Sequence, residues 1–125
     1  MENDLNKHLI TDKTLKTIKI VEKILKKIES DLKRIGAKKK LNPDELESTC
    51  SKILHLTFSL EASLDMDAGG EIAKNLKELY HHVRFAVVRV RDEGDYSFIP
   101  SATRVISEIN TGWGEVSDVA FSAAS

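Results

Sequence analysis

Cysteine is almost missing from this chain. Cys50 is the only one in 125 residues, so no internal disulfide can form, as suits a reducing compartment. Proline occurs only at positions 43 and 100. Period-two alternation of β-branched residues is missing too, and both absences favour helices over strands. Net charge is close to zero, with 19 Lys and Arg against 20 Asp and Glu. That disfavours a nucleic-acid partner, because neutralising phosphates needs a basic surplus. No apolar run approaches the ~20 residues of a membrane helix. The opening Met-Glu-Asn-Asp-Leu-Asn-Lys-His has no apolar stretch of the signal-peptide kind. These absences point to a cytoplasmic protein without membrane insertion, large enough for one domain with its own core.

What is present is helical periodicity. After a polar arm over 1–10, Thr11 or Asp12 can cap a first helix. Its apolar stripe is Ile18, Val21, Leu25, Ile28, Leu32 and Ile35, spaced three and four, with Ile20 and Ile24 beside it. Gly36 stands where a helix-ending glycine takes positive φ. The basic residues from Lys26 to Lys40 read as a solvated face and a basic helix end. Asn42 caps a second helix with Pro43 in its first turn and Asp44 and Glu45 at the positive end. Its stripe is Leu46, Cys50, Ile53, Thr57, Leu60 and Leu64, with Leu54, Leu56 and Phe58 outside it.

Asp67 to Gly70 reads as a tight junction, with Asp67 as a possible cap for the third helix. That helix carries the stripe Ile72, Leu76, Leu79, Val83, Ala86 and Val90, and beyond Tyr80 it is apolar nearly all round. Such a helix is buried on every side or meets a partner. Asp92, Glu93 and Gly94 end it. A fourth helix, with Pro100 in its first turn, carries Ile99, Ala102, Ile106, Ile109, Trp113 and Val116. The residues 117–125 show no pattern and read as a mobile tail. Helices of about 20 residues joined by short loops predict an all-α, up-down-up-down antiparallel four-helix bundle as a single domain over 1–125.

Candidate chemistry is sparse. Glu78 and His81 have the Glu-x-x-His spacing of di-metal bundles, but the pair occurs once. His81 or His82 could carry a phosphoryl group in a phosphotransfer bundle. Yet Phe85 and Ala86, one turn on, are poor neighbours for one. Asp65-Met-Asp67-Ala-Gly-Gly resembles the opening of a calcium loop, whose twelfth position would be Leu76 and not a glutamate. Cys50 lies on a core stripe, and no nucleophile-base pair or phosphate loop can be assembled. The sequence implies no enzyme, no metal and no cofactor. Trp113 reads as core, with an indole N–H that needs a partner.

One stretch is distinctive. Ser63-Leu64-Asp65, Gly69-Gly70-Glu71-Ile72-Ala73, Asn75-Leu76 and Leu79-Tyr80 follow in order, then Asp95 and periodic aliphatics to Trp113. From Leu60 to Trp113 this pattern resembles the flagellar export chaperone FliS family. The first half departs from it. The family's arm carries tyrosines and its first helix a Ser-Pro entry, whereas this chain has no Tyr before Tyr80 and no Pro before Pro43. That describes a divergent member or a paralogue with another client.

The resemblance implies a bundle that binds the disordered C-terminal segment of flagellin in the cytoplasm. It keeps the client from polymerising and delivers it to the export gate. Apolar residues outside the stripes are the candidate client contacts: Leu54, Leu56, Phe58, Phe85 and Val88, with Ile20 and Ile24. Their alternative is a wider core. Leu64, Asp65, Gly69, Gly70, Asn75, Leu76, Leu79, Tyr80 and Trp113 are expected to be structural, Asn75 and Tyr80 by satisfying polar groups between helices. The competing readings are the phosphotransfer bundle and a helical adaptor for another client, self-associating through the same faces.

Overall fold

A computed structural model describes residues 11–124; the expected arm over 1–10 lies outside them. Among the described residues the chain forms α1 (Asp12–Ile35), α2 (Pro43–Ala62), α3 (Met66–Glu93) and α4 (Ile99–Ala124). Each helix packs on its neighbour in sequence, and α4 closes the ring against α1. The short connections force antiparallel neighbours, so the fold is the up-down-up-down four-helix bundle expected from the pattern.

The helix starts follow local chemistry. The Thr14 N–H donates to Thr11 Oγ1 over 3.1 Å, and the Glu45 N–H donates to Asn42 Oδ1 over 2.8 Å. Each cap satisfies an N–H left open by the first turn. For α3 the cap is Asp65 rather than Asp67. Its Oδ1 accepts the N–H groups of Asp67 and Ala68 at 3.1 and 2.9 Å. Since α2 stops at Ala62, α3 begins at Met66, ahead of the glycines.

The double glycine is therefore a break inside α3. Gly70 has φ 53° and ψ −130°, a conformation open to glycine and strained for other residues. A Cβ on Gly69 would stand 2.6 Å from the Ala73 Cβ, inside any van der Waals distance. One turn before Gly70 is thus folded tightly against the shaft that follows it.

Gly36 does not take positive φ. It is right-handed, φ −82°, and its small size matters instead, since a Cβ would lie 3.2 Å from Ile99 Cγ2. Gly94 is the left-handed cap, φ 65°, at the end of α3.

The middle of the bundle follows the stripes. Leu25, Ile28, Leu32 and Ile35 meet Cys50, Ile53 and Leu60, then Val83, Ala86, Val87 and Val90, then Ile99, Ala102 and Ile106, all buried. Thr57 is also fully buried, its hydroxyl donating to the Ile53 carbonyl over 2.9 Å.

The stripes fail toward the Gly-Gly end. Ile72 is 73 % exposed, and Ala73 and Tyr80 are buried. The turn before Gly70 packs on Ala73 and makes that face the inner one. On α4, Val116 is exposed while Ser117 and Ala120 are buried. Ser117 is drawn inward because its hydroxyl donates to Glu22 Oε2 over 3.1 Å. The helix continues to Ala124, so residues 117–124, expected as a tail, are helical. Among the described residues no helix is long and apolar enough to cross a membrane.

Candidate functional site

The break at Gly70 shapes an open apolar cleft of about 540 Å³ at one end of the bundle. Thr17 and Val21 of α1 form one side. Leu60 with the Ser63–Asp65 connection and Ala68, Gly69, Ile72, Ala73, Leu76 and Tyr80 of α3 form the other, and Trp113 of α4 closes it. Leu60, Ala73 and Tyr80 are buried in its floor, Leu64, Leu76 and Trp113 are half-buried, and Ile72 projects at its edge. The one carboxylate in the lining, Asp65, already accepts the two N–H groups of the α3 cap. The surface offered is therefore almost wholly apolar.

Trp113 is positioned from α1. Its indole N–H donates to the Ile18 carbonyl over 3.0 Å, the partner expected of a half-buried indole. Tyr80 is buried, which pushes its hydroxyl pKa up. Among the described residues that hydroxyl makes no hydrogen bond, and Asn75 is exposed and likewise makes none. Neither satisfies a polar group between helices. Asn75 faces outward, on the row that also carries the exposed Ile72.

The apolar residues outside the stripes divide. Leu54, Leu56 and Ile24 are half-buried and packed against the core, so they widen it. Val88 is half-buried. Phe58, Phe85 and Ile20 are 57, 48 and 57 % exposed. Phe58 lies 4.1 Å from the Arg84 guanidinium carbon. Phe85 meets Phe98 edge-on, 5.0 Å between centroids and 72° between planes. Ile20 sits apart from both, on α1.

Arg84 has a role that the sequence pattern does not reveal. It is buried between α2 and α3, donates to Glu61 and carries Phe58 on its face. The Arg84 guanidinium holds the Glu61 carboxyl below its ordinary value. Both candidate phosphoryl acceptors are engaged. His81 Nε2 is 3.0 Å from Glu61 Oε1, and His82 Nε2 is 2.9 Å from Ser101 Oγ. A carboxylate beside His81 would repel an incoming phosphoryl group. Among the described residues no group of His, Cys, Asp and Glu is arranged to hold a metal ion.

The model of the family described as "Flagellar protein FliS" matches residues 11–120. The chain belongs to the FliS family. Two curated relatives agree with this. One, a flagellar secretion chaperone FliS of Vibrio cholerae serotype O1, is 31 % identical over 65 residues, 52 % of this chain and 48 % of the relative. The other, a flagellar secretion chaperone FliSB of Pseudomonas aeruginosa, is 29 % identical over 66 residues, 53 % of this chain and 52 % of the relative. The matched stretch spans about half the length of each relative. No solved structure matches the chain significantly.

Of the motif residues expected to be structural, Leu64, Asp65, Gly69, Leu76, Tyr80 and Trp113 line the cleft, and Gly70, Asn75 and Leu79 do not. Six of those nine thus line an accessible surface.

Proposed function

We propose that this FliS-family chain is a cytoplasmic export chaperone, a binding protein and not a catalyst. Its client is the disordered C-terminal segment of flagellin, held from premature polymerisation and handed to the export apparatus. The observation that carries this reading is the apolar cleft at the Gly-Gly end, built largely from the FliS-like motif. The names of the two relatives, both flagellar secretion chaperones, support it.

The mechanism is coupled folding and binding. One apolar face of an amphipathic client turn seats on Leu64, Leu76 and Trp113, beside the projecting Ile72. Burial of that surface offsets the entropy lost when the client orders. Exposed Phe58 and Phe85 give the same client further anchor points along α2 and α3.

Calorimetry with the C-terminal segment of the same organism's flagellin tests this. The expected result is one-to-one binding with a large negative heat-capacity change. Ile72→Ser with Leu76→Ser should weaken it about tenfold or more, and Phe58→Ser with Phe85→Ser should weaken it further. A folded, helical protein that binds no flagellin segment would overturn the assignment of client. Binding that ignores both pairs of substitutions would overturn the assignment of surface.

A further inference from the structure

A second surface lies on the outer side of α1, away from the cleft. Leu15, Ile20 and Phe121 line a depression of about 530 Å³ together with Asp12, Lys16, Lys19 and Lys23. On α1 the order Lys16, Ile20, Lys23 follows a four-then-three spacing, so the three side chains stand in one row on one helix face. Lys19 completes the ring, its ammonium 5.0 Å from the centre of the Phe121 ring.

The charge balance here differs from that of the chain as a whole. Three lysines face a single carboxylate, Asp12. Lys19 is paired with Glu22 over 3.2 Å, but among the described residues Lys16 and Lys23 have no ion-pair partner. Further along α1 the lysines are used differently. Lys26, Lys27 and Lys33 each pair with a carboxylate one turn away. Lys16 and Lys23, which flank exposed Ile20, are thus unpaired among the described residues, as is Lys13 one turn earlier.

We propose that this surface docks a second protein partner through an acidic amphipathic helix. An apolar knob of the partner fills the depression between Ile20 and Phe121. Glutamate or aspartate one turn to either side of that knob pairs with Lys16 and Lys23. The charge complementarity selects the partner's sign, and the depression between exposed Ile20 and Phe121 receives its apolar side chain. The site shares no lining residue with the cleft, so it can be occupied while a client is held.

The test uses the full chain and a labelled synthetic helix of about 18 residues, long enough to be helical. It carries leucines on one face and glutamates elsewhere. Its controls are the same peptide with lysine for glutamate and a scrambled peptide of equal composition. Anisotropy should show binding of the acidic amphipathic peptide only, weakened by salt, which screens exposed pairs. Ile20→Ser, and separately Lys16→Glu with Lys23→Glu, should each weaken it about tenfold or more. Amide chemical-shift changes should centre on α1 and Phe121.

The Ile72→Ser, Leu76→Ser protein should bind the peptide normally, which separates failure here from failure at the cleft. Equal binding of all three peptides, or indifference to the α1 substitutions, would overturn the proposal. So would binding to phosphatidylglycerol–phosphatidylcholine vesicles with none to the peptide, which would assign the face to a membrane. A dimer that Ile20→Ser dissolves would assign it to a second copy.

Discussion

The indole of Trp113 donates to the carbonyl of Ile18, 3.0 Å away across the α1–α4 seam. This bond holds a wall of the cleft and helps to set the register of two helices distant in sequence. Trp113→Phe keeps an aromatic ring and removes the donor. It should lower stability by about 1 kcal/mol, the net worth of a typical internal hydrogen bond, measured by urea denaturation. Since Trp113 is the single tryptophan, its emission should shift when a client enters the cleft. An acidic peptide docked on α1 should leave it nearly unchanged.

The two central glycines should respond oppositely to those of α4. Gly70→Ala forces a side chain into φ 53° and should cost about 1–3 kcal/mol. Gly69→Ala must displace Ala73, which lies 2.6 Å from the new Cβ, at a comparable overpacking penalty. Gly112 is helical with nothing within 4 Å of an added Cβ. Gly112→Ala should therefore stabilise by about 0.5–1 kcal/mol. Equilibrium unfolding of the three variants checks all of these signs.

Burial pushes the Cys50 thiol up to about 11, with Glu47 adding to the effect, and its Sγ lies against the Val87 carbonyl at 4.0 Å. The thiolate is the reactive form. Native protein at mildly alkaline pH should react with a thiol reagent only as fast as it unfolds, and urea should release full reactivity. Rapid labelling of folded protein would contradict the packing of α2 on α3.

Two carboxyls make stability depend on acid. Hydrogen bonds from Lys26 and then Lys19 hold Glu22 at about 2, against an ordinary 4.5. Asp95 is held at about 2, against 3.8, by the Ser97 hydroxyl, then Arg89, then the Ser97 N–H. Both are lower in the folded chain, so their contribution is complete above the ordinary values and is lost as pH falls toward 2. The urea midpoint should be level near neutrality and decline below about pH 4.5. Glu22→Gln should flatten part of that decline.

Helix positions and most caps were legible because they depend on residues within one turn of each other. Asn42 with Pro43 needs no tertiary context, and neither does the spacing of Leu25, Ile28 and Leu32. The cleft was not legible. It depends on Gly70 breaking α3, which turns Ala73 and Tyr80 inward and leaves Ile72 outside, although both rows have helical spacing. Asp65 and Asp67 are equally good caps by type, and only the end of α2 at Ala62 chooses between them. Arg84 is buried through Glu61, 23 residues earlier, a distance at which local pattern is silent. The apolar surplus of α2 and α3 was visible, but its division into core edge at Leu54 and Leu56 and exposed rings at Phe58 and Phe85 was not.

The bonds that close the ring of helices join residues far apart in the chain. Trp113 and Ser117 reach Ile18 and Glu22 across 95 positions, and Asn110 reaches Leu25 and Glu29 across 85 and 81. The α2–α3 and α3–α4 pairs are local hairpins with short loops. Loop-closure entropy rises with separation, so the hairpins are expected to form early and the α1–α4 seam last. The seam that closes last is also the most extensively packed one in the bundle, and Trp113 sits on it.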